Sequence, residues 1–277
     1  MSSPCLLERE TQTVDHPMFH QPVMLEESRR DLALRPGSVV VDGTLGLAGH
    51  SLRFLEDIAP GGILVGIDWD SEMLAEAQSR LWENHGNRIE FFHSDYRAIP
   101  ELLDQLGLSA DAIFLDLGLN SAQIEDPKRG IAFREEGPLD MRMDRSRGEP
   151  ASALLNRLAP AEIERILWNY GDERWAKAIA RQIVDQRRQS PLTTTADLVE
   201  AVLAAVPKGA RDKRIHPATR TFQAVRIAVN RELEDLEEAI VSAAERLKPE
   251  GRFVVLSYHS GEDRAVKTAF RRLTESG

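Results

Sequence analysis

At 277 residues, with 42% apolar residues and a single cysteine, the chain can bury one large core or two modest ones, and it holds no internal disulfide and no cysteine-ligated zinc cluster. Its net charge of −10 argues against indiscriminate nucleic-acid binding, yet the acid excess lies almost wholly before residue 124, so a polyanion could still dock on the remainder. No apolar stretch approaches the ~20 residues of a membrane span, and Met1 to His20 carries acids and prolines where a signal peptide would be apolar, so a cytoplasmic, reduced protein without membrane attachment is expected.

In chain order, residues 1–19 show no sustained periodicity and read as a mobile tail. Val39–Val41 reads as a buried strand and His50–Ile58 as a short helix. Ile63–Ile67 (ILVGI) is a second strand, and Ser71 caps a helix running to about Trp82. Ile89–Phe92 is a third strand, residues 98–106 a helix, and Ala112–Leu115 (AIFL) a fourth strand. Strands alternating with helices predict an α/β fold, a Rossmann-like parallel sheet with right-handed crossovers. From 124 to 216 there is no convincing strand but several helical runs, such as APAEIERILWNYG and TADLVEAVLAAV. After Pro217, apolar positions at Phe222, Val225, Val229, Leu233, Leu236, Ile240 and Leu247 describe one helix face. RFVVLSY (252–258) is a further buried strand and Glu262–Leu273 a final helix. The pattern predicts a discontinuous sheet domain, 20–123 with 217–277, interrupted by an all-helical insertion at 124–216.

Ligands of open α/β sheets bind beyond the carboxyl ends of the strands. The first strand ends in VVVDGTLGLAGHS (39–51), where Asp42 precedes Gly43, Gly46 and Gly49. Neither GxxxxGK[ST] nor GxGxxG is present; the spacing is GxxGxxG. Asp68 closes the second strand, where an acid can accept both hydroxyls of a ribose, as in nicotinamide and S-adenosylmethionine sites alike. Asp95-Tyr96 follows the third strand and Asp116 the fourth. Four carboxylates would repel a pyrophosphate and suit a cationic sulfonium, so the loop is expected to cradle S-adenosylmethionine. The same acids could instead merely close turns.

Several long blocks resemble the MraW (RsmH) methyltransferases, which modify a cytidine of small-subunit ribosomal RNA at its exocyclic amino nitrogen. They are HQPVMLEE (20–27), DGTLGLAGHS, LDLGLNSAQIED, RGIAFREEGPLDMRMD (129–144), YGDERWAKAIA (170–180), HPATRTFQAVRIAVNRELE (216–234) and GRFVVLSYHSGEDRAVK (251–267). The resemblance implies a class I methyltransferase sheet with the helical insertion on the substrate side. It implies cofactor contacts from Gly49 and His50 in the loop, Asp68 at the ribose, Tyr96 beside the adenine, and Asp116 and Gln123 near the methionine end. Ala48, Asn120 and Gly261 stand where the family usually has glycine, serine and leucine. Relatives also continue past the last helix to a further strand, so either a sheet short of that edge or a truncated form is expected.

Asp116, Asn120 and Ser121 follow the fourth strand together, where the acceptor amine of a cytosine should lie and where oxygen acceptors must hold its hydrogens. The general amino-methyltransferase signature [DNS]PP[YF] is absent, with DLGLNS in its place, so the amino target is implied by the resemblance. Methylation at ring carbon five would need a cysteine nucleophile, and Cys5 in the tail is a poor one. Tyr258 could stack on the base, and His259 or Ser260 could hydrogen-bond to it. The alternative for His259 is a structural role at a helix start. Arg142, Arg145, Arg147, Arg211, Lys213, Arg214 and Arg220 are the candidates for RNA phosphates, on naked RNA or the assembled small subunit. Asp140 and Asp144, interleaved with arginines, read as ion pairs and not a metal site, and no metal is expected. Trp168, Tyr170 and Trp175 read as the insertion's core sooner than as platforms for a base. A homodimer is left open. Two other readings stand beside this one: a nicotinamide-dependent oxidoreductase, and a degenerate cofactor- or ribosome-binding protein without activity.

Overall fold

The structure, a computed structural model, describes residues 22–82, 86–212 and 214–276. The expected tail at 1–19, Cys5 and Lys213 lie outside the described residues. The elements run α1 (Leu25–Leu32), β1 (Val39–Asp42), α2 (Gly49–Ile58), β2 (Ile63–Asp68), α3 (Ser71–Arg80), β3 (Arg88–His93), α4 (Ile99–Leu106), β4 (Ala110–Asp116) and α5 (Ser121–Glu125). They continue with α6 (Ala151–Arg157), α7 (Pro160–Gly171), α8 (Ala176–Arg187), α9 (Thr195–Ala205), α10 (Thr219–Asn230), α11 (Leu236–Ala244), β5 (Leu247–Leu256) and α12 (Ser260–Ser276).

The five strands form one parallel sheet in the order β3-β2-β1-β4-β5, with Val39 opposite Ile63 and Val40 opposite Ala112 across β1. This is the expected Rossmann-like α/β fold. The order reverses between β1 and β4, and there the crossovers leave to opposite faces and open a crevice.

Alternation along the strands divides the sheet's two faces. Val41, Val65, Ile113 and Leu115 pack with Ile99, Leu103, Ile240 and Val266 of α4, α11 and α12. Val40, Leu64, Ala112 and Phe114 pack with Phe54, Ile58, Leu74 and Ala77 of α2 and α3. Strands covered on both faces carry near-continuous apolar runs, which is why they were readable. A separate core joins α6 to α10 through Leu155, Ile163, Leu167, Ile179, Ile183, Leu198, Phe222 and Val225. Helix α10 thus packs with the helical layer, although it follows Pro217.

Three expectations are corrected. The helix after β2 is capped by Asp70, whose carboxylate accepts from the Glu72 and Met73 amides, and not by Ser71. The single face from Phe222 to Leu247 is two helices and the start of a strand. Arg231 and Asp235 adopt left-handed backbone (φ 53° and 56°) and turn the chain between α10 and α11, while Leu247 already pairs with Ala110 in the sheet. Trp168 is 62% exposed, whereas Tyr170 and Trp175 do pack against the helical core. Helix α1 was not foreseen, although Glu26 and Glu27 in its first turn and Arg29 and Arg30 in its last match the helix dipole.

One buried cation ties the layers together. Arg129, 2% exposed, pairs with Asp70 at 2.5 Å and Glu72 at 2.8 Å, and donates to the Met143 carbonyl at 3.2 Å. It thereby joins the segment after β4 to the start of α3. Truncating one member of a buried pair strands the other charge, at a cost of about 3–5 kcal/mol. Arg129→Ala should lose that much in urea denaturation. A loss below about 1 kcal/mol would mean the α3 amides alone stabilise Asp70.

Candidate active site

The Gly43–Gly49 loop lies across the strand ends. Gly43 N–H donates to the Phe114 carbonyl at 3.0 Å and Leu45 N–H to the Ile67 carbonyl at 2.9 Å, so one loop spans β4, β1 and β2. A β-carbon on Gly43 would come within 2.4 Å of a Leu115 methyl and 3.1 Å of the Tyr96 β-carbon, so any side chain there would force the buried Leu115 to move. Gly46 takes φ +50° and faces Asn120. Ala48 takes φ 62° at the start of α2, a conformation costing roughly 1 kcal/mol for a residue with a β-carbon.

The strand-end acids have different surroundings. Asp42 is 1% exposed and accepts from Ser51 Oγ at 2.6 Å and the Thr44 amide at 3.1 Å. Burial pushes its carboxyl up to about 7. Asp68 accepts the Gly46 amide at 2.6 Å and the Asp70 amide at 2.7 Å, and burial raises it to about 6. Asp116 is raised by burial as well. Its amide donates to Thr44 Oγ1 at 2.6 Å, and its carboxylate accepts the Tyr258 hydroxyl at 2.6 Å. The fourth acid, Asp95, is not part of this set. It caps the short turn 96–98 and pairs with Arg97 at 2.5 Å, so its charge is already met.

His50 lies beneath Asp116, its ring tilted 49° against that of Phe114 with centres 4.6 Å apart. Its Nε2 is 3.0 Å from the Val23 carbonyl, which can only accept, so Nε2 carries the proton and the bare Nδ1 faces Asp116 Oδ2 at 3.8 Å. Burial lowers its pKa and keeps the ring neutral. Tyr96 stands beside Gly43, with Arg97 over its ring at 5.0 Å and over Trp69 at 5.9 Å; burial raises the Tyr96 phenol.

Asn120 and Gln123 form a reciprocal cap on α5 (2.9 and 3.2 Å), and Gln123 Nε2 also donates to Asp70 Oδ2 at 2.9 Å. Gln123 is therefore buried in the Arg129 network, while Asn120 and Ser121 stay half exposed near Gly46.

At the end of β5, Glu262 accepts the Tyr258 amide at 2.8 Å and lies 3.2 Å from His259 Nε2, while the Glu262 amide donates to His259 Nδ1 at 3.3 Å. Burial works to raise Glu262, but the His259 ring, the Tyr258 amide and Arg226 outweigh it and hold it below its ordinary value. His259 thus caps α12, the structural alternative of the two readings. Glu232, His259 and Glu262 place ligand atoms within 4.8 Å of one another, as a metal would need. Arg226 already binds Glu232 through two bonds of 2.8 and 2.7 Å, so an ion-pair network accounts for the cluster.

The RNA candidates are mostly occupied. Arg142 pairs with Asp140, Arg145 with Glu72 and Asp126, Arg147 with Asp144, and Arg214 more loosely with Asp212 at 3.7 Å. Arg211 donates to the Leu203 and Val206 carbonyls, and Arg220 to that of Asp172. Sequence reasoning missed Thr44, Ser51, Trp69, Arg97 and Glu262; only Thr44 and Ser51, inside the glycine loop block, carried a local signal.

Comparison with known proteins agrees with this geometry. Residues 17–276 match the MraW methylase family. "Ribosomal RNA small subunit methyltransferase H" of Geotalea uraniireducens (strain Rf4) is 49% identical over 92% of this chain and 82% of its own length. The protein of the same name from Pelobacter propionicus is 50% identical over 91% and 81%. A solved SAM-dependent O-methyltransferase from Thermotoga maritima aligns over 38% of either chain at 20% identity and TM-score 0.31, an overlap too small to bear on function. With a glycine loop across the switch point of a parallel sheet, buried strand-end acids and a match over nearly its whole length, the chain belongs to the MraW methylase family.

Proposed function

We propose that this protein transfers a methyl group from S-adenosylmethionine to the exocyclic N4 of a cytidine in 16S small-subunit ribosomal RNA. The observation that carries the reading is the Asp116–Tyr258 pair at the mouth of the switch-point crevice, beside the glycine loop. Curated relatives at 49% and 50% identity bear the name of a small-subunit ribosomal RNA methyltransferase. In this reading 20–123 and 217–277 form the methyl-transfer unit and 124–216 the substrate side. The place of work is the cytoplasm; among the described residues no helix is long and apolar enough to cross a membrane.

S-adenosylmethionine supplies an electrophilic methyl on a sulfonium. The residues present fit such a group: a carboxyl at the ribose position, a glycine loop without bulk at Gly43 and Gly46, and, among the described residues, neutral donors and no lysine or arginine on the strand-end acids Asp42, Asp68 and Asp116. Asp68 accepts the ribose hydroxyls, and Tyr96 and the Gly43 backbone border the base. Asp116 accepts a hydrogen of the cytosine amine, turning the nitrogen lone pair towards the methyl, and Asn120 offers a second acceptor. The Tyr258 ring, 52% exposed, stacks on the base once its hydroxyl yields Asp116 to the amine. The raised Asp116 carboxyl then takes the proton that the methylated nitrogen sheds. His259 supports Tyr258 through Glu262 and does not touch the base.

Incubation of unmodified small subunits with methyl-labelled S-adenosylmethionine, followed by nucleoside mass spectrometry, should place label in N4-methylcytidine. Label in another nucleoside would overturn the target, and bound cofactor without label would leave a binding protein. Asp116→Asn should cut the labelling rate by about a hundredfold or more while the cofactor still binds; a rate within tenfold of wild type would remove Asp116 from the chemistry. The raised Asp68 carboxyl gives cofactor affinity a pH dependence. The ionised form accepts two hydroxyls, so affinity should be full above about pH 7 and fall by roughly tenfold per unit below pH 6, with Asp68→Asn weak and flat. In the ligand-free protein the sign is opposite: a carboxyl raised on folding loses its stabilising contribution as pH climbs from about 4 to about 6. Calorimetric titration from pH 5 to 8, on the order of one point per unit, reads the affinity directly.

A further inference from the structure

Among the described residues, Arg174, Lys177 and Arg181 make no side-chain hydrogen bond or ion pair, and all three are exposed. Arg174 lies in the turn between α7 and α8, and Lys177 and Arg181 follow on α8 four residues apart, which sets those two along one face about 5–6 Å apart. Arginines 142, 145 and 147, by contrast, are neutralised by partner carboxylates.

This stripe begins at the candidate active site. Asp172, two residues before Arg174, meets Ser260 Oγ through its Oδ2 at 3.4 Å, and Ser260 lies two residues beyond Tyr258. Arg220 donates to the Asp172 carbonyl at 3.1 Å and brings a fourth cation, without a carboxylate partner, to the same corner. Trp168, four residues before Asp172, leaves 62% of its surface open on the same helix. Of the acids nearby, Asp185 is paired with Arg188 at 3.0 Å and Glu173 is buried, while Asp172, on Ser260, and Glu164, one turn before Trp168, keep their charge, so the four cations outnumber the open acids.

A row of free cations beside an open indole, continuous with a site that must receive an extruded base, matches single-stranded nucleic acid: phosphates follow the charges and an unpaired base stacks on the ring. We infer that Trp168, Arg174, Lys177, Arg181 and Arg220 form the track for the single-stranded ribosomal RNA flanking the methylated nucleotide. The inference rests on the reading of the preceding subsection and adds the path of the substrate.

The test uses the whole protein, a labelled small-subunit ribosomal RNA fragment and filter binding between about 50 and 200 mM salt, with methylation kinetics alongside. The double variant Lys177→Gln/Arg181→Gln should raise the RNA KM about tenfold, leave kcat within about twofold, and reduce the slope of log affinity against log salt by about 1.4, or 0.7 per lost phosphate. Trp168→Ala should weaken RNA binding roughly tenfold with the slope unchanged. Arg53→Gln, which removes one charge paired with Glu56 on α2, should match wild type. Wild-type KM and slope in both test variants would overturn the inference. So would a defect confined to assembled subunits with naked RNA unaffected, which would assign the face to a ribosomal protein. Wild-type protein that transfers no label would fail the preceding reading, while filter binding would still decide whether RNA follows this face.

Discussion

Three carboxyl groups crowd the carboxyl ends of adjacent parallel strands in a medium too apolar to ionise them freely, and much of the molecule is arranged around that constraint. Burial raises Asp42, Asp68 and Asp116 together. Each is met by neutral donors, not cations: Ser51 and the Thr44 amide, the Gly46 and Asp70 amides, and the Tyr258 hydroxyl. An arginine in any of these places would have fixed the charge and repelled a cationic ligand. Neutral donors leave a site that becomes more negative as its protons depart, and so suit a sulfonium. The glycine loop serves the same arrangement, since the left-handed backbone at Gly46 carries its amide to Asp68 while Leu115 and Tyr96 close beneath Gly43.

The cations that pair with acids behind the site act one layer away. Arg129 holds Asp70 and Glu72, Asp70 caps α3 and takes Gln123, and Gln123 closes the cap of α5 with Asn120. Arg226 does the same beneath β5, through Glu232, beside His259 and Glu262, to the Tyr258 amide. These two networks hold Asn120 and Tyr258 on either side of Asp116. Buried ion pairs contribute little net stability; their value here is positional, since each fixes a polar side chain at the crevice by supporting the one behind it.

The separation of paired from unpaired cations follows the same logic at the surface. Arginines interleaved with aspartates in the 140–147 segment satisfy one another and shape that segment. Lys177 and Arg181 on α8 form no ion pair among the described residues and leave their field open to solvent. A polyanion arriving at a protein of net charge −10 meets repulsion over the sheet half, where the acids concentrate, and attraction over the helical layer.

Much of this was legible in the sequence because it is local. Runs such as VVV, ILVGI and AIFL declare strands covered on both faces, and GxxGxxG after Asp42 declares a close backbone approach whatever surrounds it. Asp68 and Asp116 were found because position at a strand end is itself a local property. What the sequence left open depends on partners distant along the chain. Gln123 and Asp70 are 53 residues apart, and Arg129 and Glu72 are 57 apart, so nothing near Gln123 told that its amide is buried and taken. The apolar spacing from Phe222 to Leu247 kept its period through the turn at Arg231 to Asp235, because three separate elements happen to bury residues at the same steps. Trp168 has the composition of a core residue, and only the direction of α7 in the assembled layer turns it to solvent. The sequence by itself determined the sheet, the loop and the acids that end the strands, since those arise from short-range pattern. Which charges are cancelled, which tyrosine meets which aspartate and which tryptophan is left open were decided by tertiary packing, because pairing energies depend on distances that no spacing along the chain encodes.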